Sequence, residues 1–412
     1  MPAPTDQEME EYLQTSRFIW YMGALGDPYA LLLRGQENPY ELFEQVRARG
    51  PLHLSRLGTW VTADHALGNK ILRDARFGTR RADGARVAPH FSSLDDSFLK
   101  LDAPDHTRLR RLSIPLFSPK RMGGYRPHVE HVCNELLDRL DLDGGFDLVQ
   151  DFAKHLPIAL IRGLLGIPDE YQEKFDRCCH GSALVLEGFV SPEQTEELQL
   201  AVDGLYEVFE ELMELRAAEP GDDVISRLVE AEREGKLTRK ECIGVCGIIA
   251  VAGTETTTNL VANGTLALLE RPDQWDMLRK DPDLAPGVVE ETLRWDSPAQ
   301  LATRVAHSDV EVAGHQLAEG SLVAVLTAAA NRDPEVFPDP EVFDITRNSR
   351  TEHLAFSGGP HYCLGAPLAR MEADAAFRTL VDRLPQLRQT GPVDRWVSAS
   401  ARGLRHFPVA AR

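Results

Sequence analysis

The run from Thr238 to Glu270 is apolar enough for one long buried helix, and a chain with so long a buried helix must build its core around it. The middle of that run breaks its own rule. Residues 252–258 read AGTETTT, placing Gly253 and three consecutive threonines inside the helix. Each such residue costs a helix interior about 0.5–1 kcal/mol against alanine. Conflict between local propensity and global pattern is expected at functional sites. A threonine hydroxyl here can bond the carbonyl four residues back and loosen the ladder, bending the axis. With Gly253 removing bulk beside that spot, a small molecule can approach the backbone, and Glu255 and Thr256 supply an acid and a hydroxyl. A helix that merely tolerates threonines at a packing contact is the plainer reading, but a buried Glu255 needs a partner or a task.

Helical patterns dominate elsewhere. In SPEQTEELQLAVDGLYEVFEELMELR, Ser191 is a good N-cap, Pro192 suits the first helical position and Gln194 completes a capping box. Leu198, Val202, Leu205, Phe209 and Leu212 then recur at helical spacing, as do Phe377, Leu380, Val381 and Leu384 in GAPLARMEADAAFRTLVDRL. Strand signals are short: TWVTA near residue 60, and VEVAGHQLAEGSLVAVLTA over 310–328. The expectation is a mainly α fold with small β-sheets attached. No repeat or linker divides the chain, which reads as a single domain over 1–412. Segment 78–100, GTRRADGARVAPHFSSLDDSFLK, lacks periodicity and reads as a long functional loop.

The formal net charge of −19 opposes partnership with nucleic acid or an anionic membrane. The opening MPAPTDQEMEEYL is acidic where a signal peptide is basic. The apolar run from Phe18 to Leu33 is interrupted by glycines, Asp27 and Pro28, so it does not span a bilayer. Cysteines 133, 178, 179, 242, 246 and 363 show no framework spacing, in keeping with a reducing compartment. These features predict a free cytoplasmic protein.

Cys363 stands apart. It lies where FSGGPH ends and LGAPLARMEA begins, at the entrance to a helix whose dipole and free N–H groups favour a thiolate. Gly358, Gly359 and Gly365 let the backbone turn sharply or approach closely. A structural thiol is the common alternative for a lone cysteine. A zinc site of His353, His361 and Cys363 lacks an evident fourth ligand, and a nucleophile lacks an identifiable base.

Three stretches together carry a resemblance. FSGGPHYCLG, Phe356 to Gly365, fits F-x-x-G-x-x-x-C-x-G, the haem-thiolate loop of the cytochrome P450 family. AGTETT resembles that family's oxygen-activating helix, and ETLR, Glu291 to Arg294, its E-x-x-R motif. LDAPDHTRLRRLSIPLFSP (101–119), TRVAHSDVEVAG and ANRDPEVFPDPEVFD (330–344) extend the likeness over nearly the whole chain. The resemblance implies the P450 fold and haem b with Cys363 as axial iron ligand. Phe356, Gly359, His361, Gly365 and Ala252 would then lie at the cofactor, with His106, Arg110 and Arg304 on its propionates. Glu255 and Thr256 would organise proton delivery during O2 activation, and Glu291 and Arg294 would form a structural pair. Two positions depart from the family pattern. Ser357 stands where many bacterial members have glycine, and Val342 where many have the arginine completing the E-x-x-R triad, leaving Arg347 or Arg332 to compensate.

The likeness also implies electrons from NAD(P)H through a ferredoxin reductase and a separate ferredoxin, docking at the basic cluster RLRRLSIPLFSPKR (108–121). Expected pocket walls are 78–100, 180–195, 248–252, 299–302 and the turn near Val397, mostly small or aliphatic, which suggests a bulky apolar substrate. Soluble actinobacterial members tailor macrolides and polyketides, so hydroxylation of such an intermediate is the leading expectation. Another secondary metabolite or a carrier-protein-bound acid is the alternative. A haem-thiolate binding or sensing protein without turnover is the reading from another class, opposed by the presence of both Glu255 and Thr256.

Overall fold

The computed structural model describes residues 6–85, 97–142, 144–182, 192–348 and 350–411. The long apolar run forms one helix, Arg239–Leu269. Thr238 caps it: its hydroxyl accepts from the Glu241 N–H, and the Glu241 carboxylate accepts from the Thr238 N–H at 2.8 Å. The helix passes through 252–258 without interruption, and threonine hydroxyls bond back along it. Thr256 donates to the Ala252 carbonyl at 2.8 Å and Thr258 to Thr254 at 3.0 Å. Helices His155–Leu165, Pro192–Ala218, Ala285–Trp295 and Ala366–Arg383 pack around it. Among the described residues this is the one helix long and apolar enough to cross a membrane, yet 72% of that window is buried inside the protein. That is the behaviour of a core helix.

The second apolar pattern also holds: Leu198, Val202, Leu205, Phe209 and Leu212 are all buried on Pro192–Ala218. Ser191 lies outside the described residues. Phe377, Leu380, Val381 and Leu384 are likewise buried along or just beyond Ala366–Arg383.

The β structure is small. A five-stranded sheet sets His53–Leu54, Trp60–Thr62, Leu322–Val325, Ala302–Ala306 and Phe77–Gly78 side by side in that order. Trp60–Thr62 runs parallel to Leu322–Val325, which pairs antiparallel with Ala302–Ala306 so that Arg304 faces Val323 in register. Val310–Val312 and His315–Leu317 make a separate hairpin.

Glu291 and Arg294 are both buried. Arg294 grips Glu291 through two parallel hydrogen bonds of 2.7 and 2.8 Å. Its remaining N–H groups donate to the carbonyls of Asn331, Pro340 and Val342. The third member of the cluster is Arg347, whose Nε lies 3.1 Å from Glu291. Val342 contributes its carbonyl to both arginines while its side chain is exposed, so the triad arginine is displaced along the loop and not lost. Arg332 pairs instead with Glu341 and stacks on Tyr40.

Arg294→Leu leaves Glu291 buried with half its partners gone, and should cost about 3–5 kcal/mol in denaturant unfolding. Arg347→Leu removes a partly exposed partner and should cost less. Equal losses for Arg332→Leu and Arg347→Leu would remove Arg347 from the cluster.

Candidate functional site

The loop Phe356 to Gly365 is closed by its own backbone. The Cys363 N–H donates to the Phe356 carbonyl at 2.9 Å, and Tyr362 N–H to Gly359 at 3.1 Å. Gly359 has φ +65, and a Cβ there would sit 2.5 Å from the Leu72 carbonyl oxygen, so only glycine fits. Two residues past Cys363, Gly365 caps the helix Ala366–Arg383. Burial pushes the Cys363 thiol up, while the N–H groups of Gly365 and Ala366 and the charges of Arg110 and Arg370 oppose the rise. Protein atoms crowd Cys363 closely enough to press its thiol up, yet the side chain is exposed to the cavity that it lines.

That cavity has a volume of about 310 Å³. The central helix forms one wall with Ile248, Ile249, Ala252, Gly253 and Thr256, and Ala299, Leu301 and Ala302 add another. Phe98 and Leu99 represent the expected 78–100 wall; residues 86–96, and most of the expected 180–195 wall, lie outside the described residues. Val397 does not belong to the lining: it is exposed and packs beside Gly35. At Gly253 an added Cβ would come within 2.7 Å of Ile161 Cδ1, so any side chain there would push the end of Ile161 aside.

Of the residues expected at the site, Ala252, Thr256, Arg110, Phe356, His361, Cys363 and Gly365 line the one cavity. Glu255 is half-buried beside Thr256 and is not among the described lining residues. His106 and Arg304 lie just behind the lining. His106 stacks on His361 with ring centroids 4.3 Å apart, and its buried Nε2 has no hydrogen-bond partner. Burial, with His361 and Arg110 nearby, lowers the His106 pKa to about 4. Burial also lowers Arg304 to about 10. Arg110 donates to the Tyr362 carbonyl. His361 Nε2 lies 3.5 Å from Asp102, whose carboxyl burial would raise but which His361 and the Arg80 and Thr79 N–H groups hold well below the usual range. The cluster therefore gathers two arginines and two histidines around one carboxylate. It is an anion site with cationic capacity to spare.

Ser357 takes part without having been expected to. Its φ is +61, a left-handed conformation costing a non-glycine residue about 1–2 kcal/mol. Its Oγ lies 3.3 Å from Arg304 Nη2.

Glu372, on Ala366–Arg383, is a lining residue that no motif announced. It is fully buried, one carboxyl oxygen has no partner, and burial raises its pKa to about 8 against a hydrogen bond from Thr257. The sequence signal was only an acidic residue among the apolar positions of a helix expected to be buried.

The basic cluster 108–121 is thinner in space than in sequence. Arg108 pairs with Glu241 and Asp105, Arg121 with Asp222, and Arg110 turns inward. Arg111 and Lys120 are exposed. His353 pairs with Glu290 at 3.2 Å, and among the described residues no group of three His, Cys, Asp or Glu side chains is placed to hold a metal ion. The zinc reading loses its ligand set.

A cytochrome P450 family model matches residues 18–390. The chain belongs to the cytochrome P450 family. It is 42% identical to cytochrome P450 107B1 of Saccharopolyspora erythraea, over 94% of this chain and 96% of that one. It is 35% identical to the cytochrome P450 monooxygenase PikC of Streptomyces venezuelae, over 95% and 94%. Among solved structures it is similar to P450BioI in complex with hexadec-9Z-enoic acid ligated acyl carrier protein, with TM-score 0.85, 33% identity, and coverage of 90% and 98%. This P450 is thus a haem-dependent monooxygenase by family. The site fits that cofactor: a thiol faces the cavity, and an unpartnered imidazole nitrogen and two arginines stand where two carboxylates need donors.

Because the folded Glu372 holds its proton up to about pH 8 and an unfolded glutamic acid releases it near pH 4.5, the native state binds the extra proton between those values. Its contribution to stability is present below about pH 4.5 and lost as pH rises through about 8. Glu372→Gln should flatten that decline in apoprotein denaturation curves; parallel curves for the two proteins would refute the buried-acid assignment.

Proposed function

We propose that this P450 hydroxylates a bulky apolar secondary metabolite, most closely a macrolide or polyketide intermediate, acting as one catalytic domain over 1–412 in the cytoplasm. The observation that supports it is the meeting of Cys363 and Thr256, from opposite elements, in one cavity whose other described walls are chiefly apolar. Arg110, His361 and Glu372 are the charged or ionisable lining groups besides Cys363 and Tyr362, and they belong to the polar cluster or lie under Thr257. Among the described residues, the remaining wall offers no cation to a free carboxylate. Likeness to the solved structure of the Bacillus subtilis bacillaene polyketide synthase cytochrome P450 PksS, with TM-score 0.83 and 31% identity, supports the same substrate class.

Cys363 would hold haem b, with His106, Arg110, Arg304 and His361 on its propionates, Phe356, Gly359 and Gly365 shaping the loop, and Ala252 against its distal face. Haem bound through a thiolate supplies activation of O2, the sulfur's electron density favouring O–O cleavage. The chain's own part is orientation, proton supply and exclusion of water. Thr256 Oγ1 accepts a hydrogen bond from a guest in the cavity while its own proton rests on the Ala252 carbonyl. Glu255, half-buried and next to it in the chain, would return protons from outside. Glu372, neutral below about pH 8, holds a proton beneath Thr257. Ile248, Ile249 and Leu301 keep the substrate face dry.

Electrons would come from NAD(P)H through a ferredoxin reductase and a ferredoxin, with Arg111, Lys120 and the exposed Ile114 offering the docking face. A carrier-protein-bound acyl chain is the second reading, supported by likeness to P450BioI crystallised with such a partner. A thioester has no free carboxylate, so it too suits a wall without a cation.

A panel of macrolactones and acyl-carrier-protein thioesters, read by the change in the haem spectrum on binding, separates the two readings. With a bound substrate, Thr256→Ala should keep oxygen consumption while product per oxygen falls at least about tenfold. Unchanged coupling would remove Thr256 from proton delivery.

A further inference from the structure

Ser357 occupies a backbone position that suits glycine, and the chain keeps a side chain there. Its φ of +61 is unfavourable for serine, and glycine adopts it freely. The hydroxyl has a specific use. Arg304, 6% exposed, donates to the carbonyl of its neighbour Thr303 at 2.9 Å and to Ser357 Oγ at 3.3 Å. The first bond, from Nη1, is local to the strand Ala302–Ala306 and does not hold the Nη2 end of the guanidinium. The second ties that end to the loop carrying Cys363, six residues before the thiol. Ser357 also lines the cavity. A hydroxyl accepting from Arg304 has one proton left, and the neighbouring polar cluster already has donors in excess.

We infer that Ser357 is a positioning residue for the cofactor site: it latches Arg304 to the thiolate loop, and so fixes the distance between the propionate-binding arginine and the iron ligand. This rests on the proposed assignment of Arg304 to a haem propionate. The strained backbone is retained because the latch requires a side chain at that point. Glycine would relax the loop and release the arginine.

The two consequences have opposite signs, which makes the inference testable with purified holoenzyme. Ser357→Gly should raise the melting temperature of the apoprotein while haem passes to apomyoglobin roughly tenfold faster than from the wild type. Ser357→Ala, which keeps the strain and loses the hydroxyl, should lose haem at a similarly increased rate. In both, the reduction potential of the bound haem should fall, because a loosened Arg304 places less positive charge against the propionate. In an Arg304→Lys background, Ser357→Ala should add little to the rate, since the latch has lost its partner. Haem retention by Ser357→Gly equal to wild type would overturn the inference and leave only backbone strain at this position. Full additivity with Arg304→Lys would overturn it as well. A wild-type preparation that takes up no haem, shown by the absence of its absorption band, would instead bring down the cofactor assignment on which the latch depends.

Discussion

The buried pair Glu291–Arg294 is the interaction on which the cofactor side of the molecule depends. Two charges out of water are stable only if their geometry is good and their remaining hydrogen-bonding capacity is used. Here both conditions hold. Glu291 accepts from Arg294, from Arg347 and from the Asp344 N–H, while Arg294 uses its spare donors on three carbonyls of the segment 331–342. That segment is largely irregular and has no ladder of its own to hold it. Asn331, whose carbonyl Arg294 grips, accepts the Leu354 N–H through its side chain at 2.6 Å. Leu354 stands just before Phe356, and the chain of bonds therefore runs from a buried carboxylate to the loop that presents Cys363. The thiol's position is set well away from the thiol.

Around the cavity, polarity is divided. Cationic and imidazole groups collect at one side, beside Asp102, and chiefly apolar groups cover the rest of the described lining. A buried excess of donors is costly in isolation, and the depressed His106 and Arg304 are its expression. The arrangement makes sense for a guest carrying two carboxylates at one edge and a flat apolar body. It also orients that guest, since reversing it would bury carboxylates against Ile248 and Ile249.

Much of this was legible in the sequence because the signals were local. The long helix, its misfit threonines and the Cys363 loop are continuous stretches, and each landed where its pattern placed it. What escaped depends on residues distant in sequence meeting in space. Val342 left the choice between Arg347 and Arg332 open because the motif is written along the chain, and only the fold shows that Arg347 reaches Glu291 by folding back across the loop. The basic cluster looked intact because its neutralising partners, Glu241 and Asp222, lie on other elements. Glu372 gave no motif, and its meaning comes from being sealed beneath Thr257. Ser357 read only as a departure from the glycine of many family members, since neither its left-handed backbone nor its contact with Arg304 can be seen without the fold.

The hydrogen bond from Thr256 to Ala252 has a consequence for selectivity among small guests. A carbonyl cannot donate, so the hydroxyl's single proton is committed to it. What Thr256 shows the cavity is a pair of lone pairs. Water, alcohols and other molecules that arrive carrying a hydrogen are welcomed there, while pure acceptors meet like electron density. On the helix wall of the chamber, this threonine thereby acts as a filter for hydrogen-bearing polarity, with no charge and no moving part.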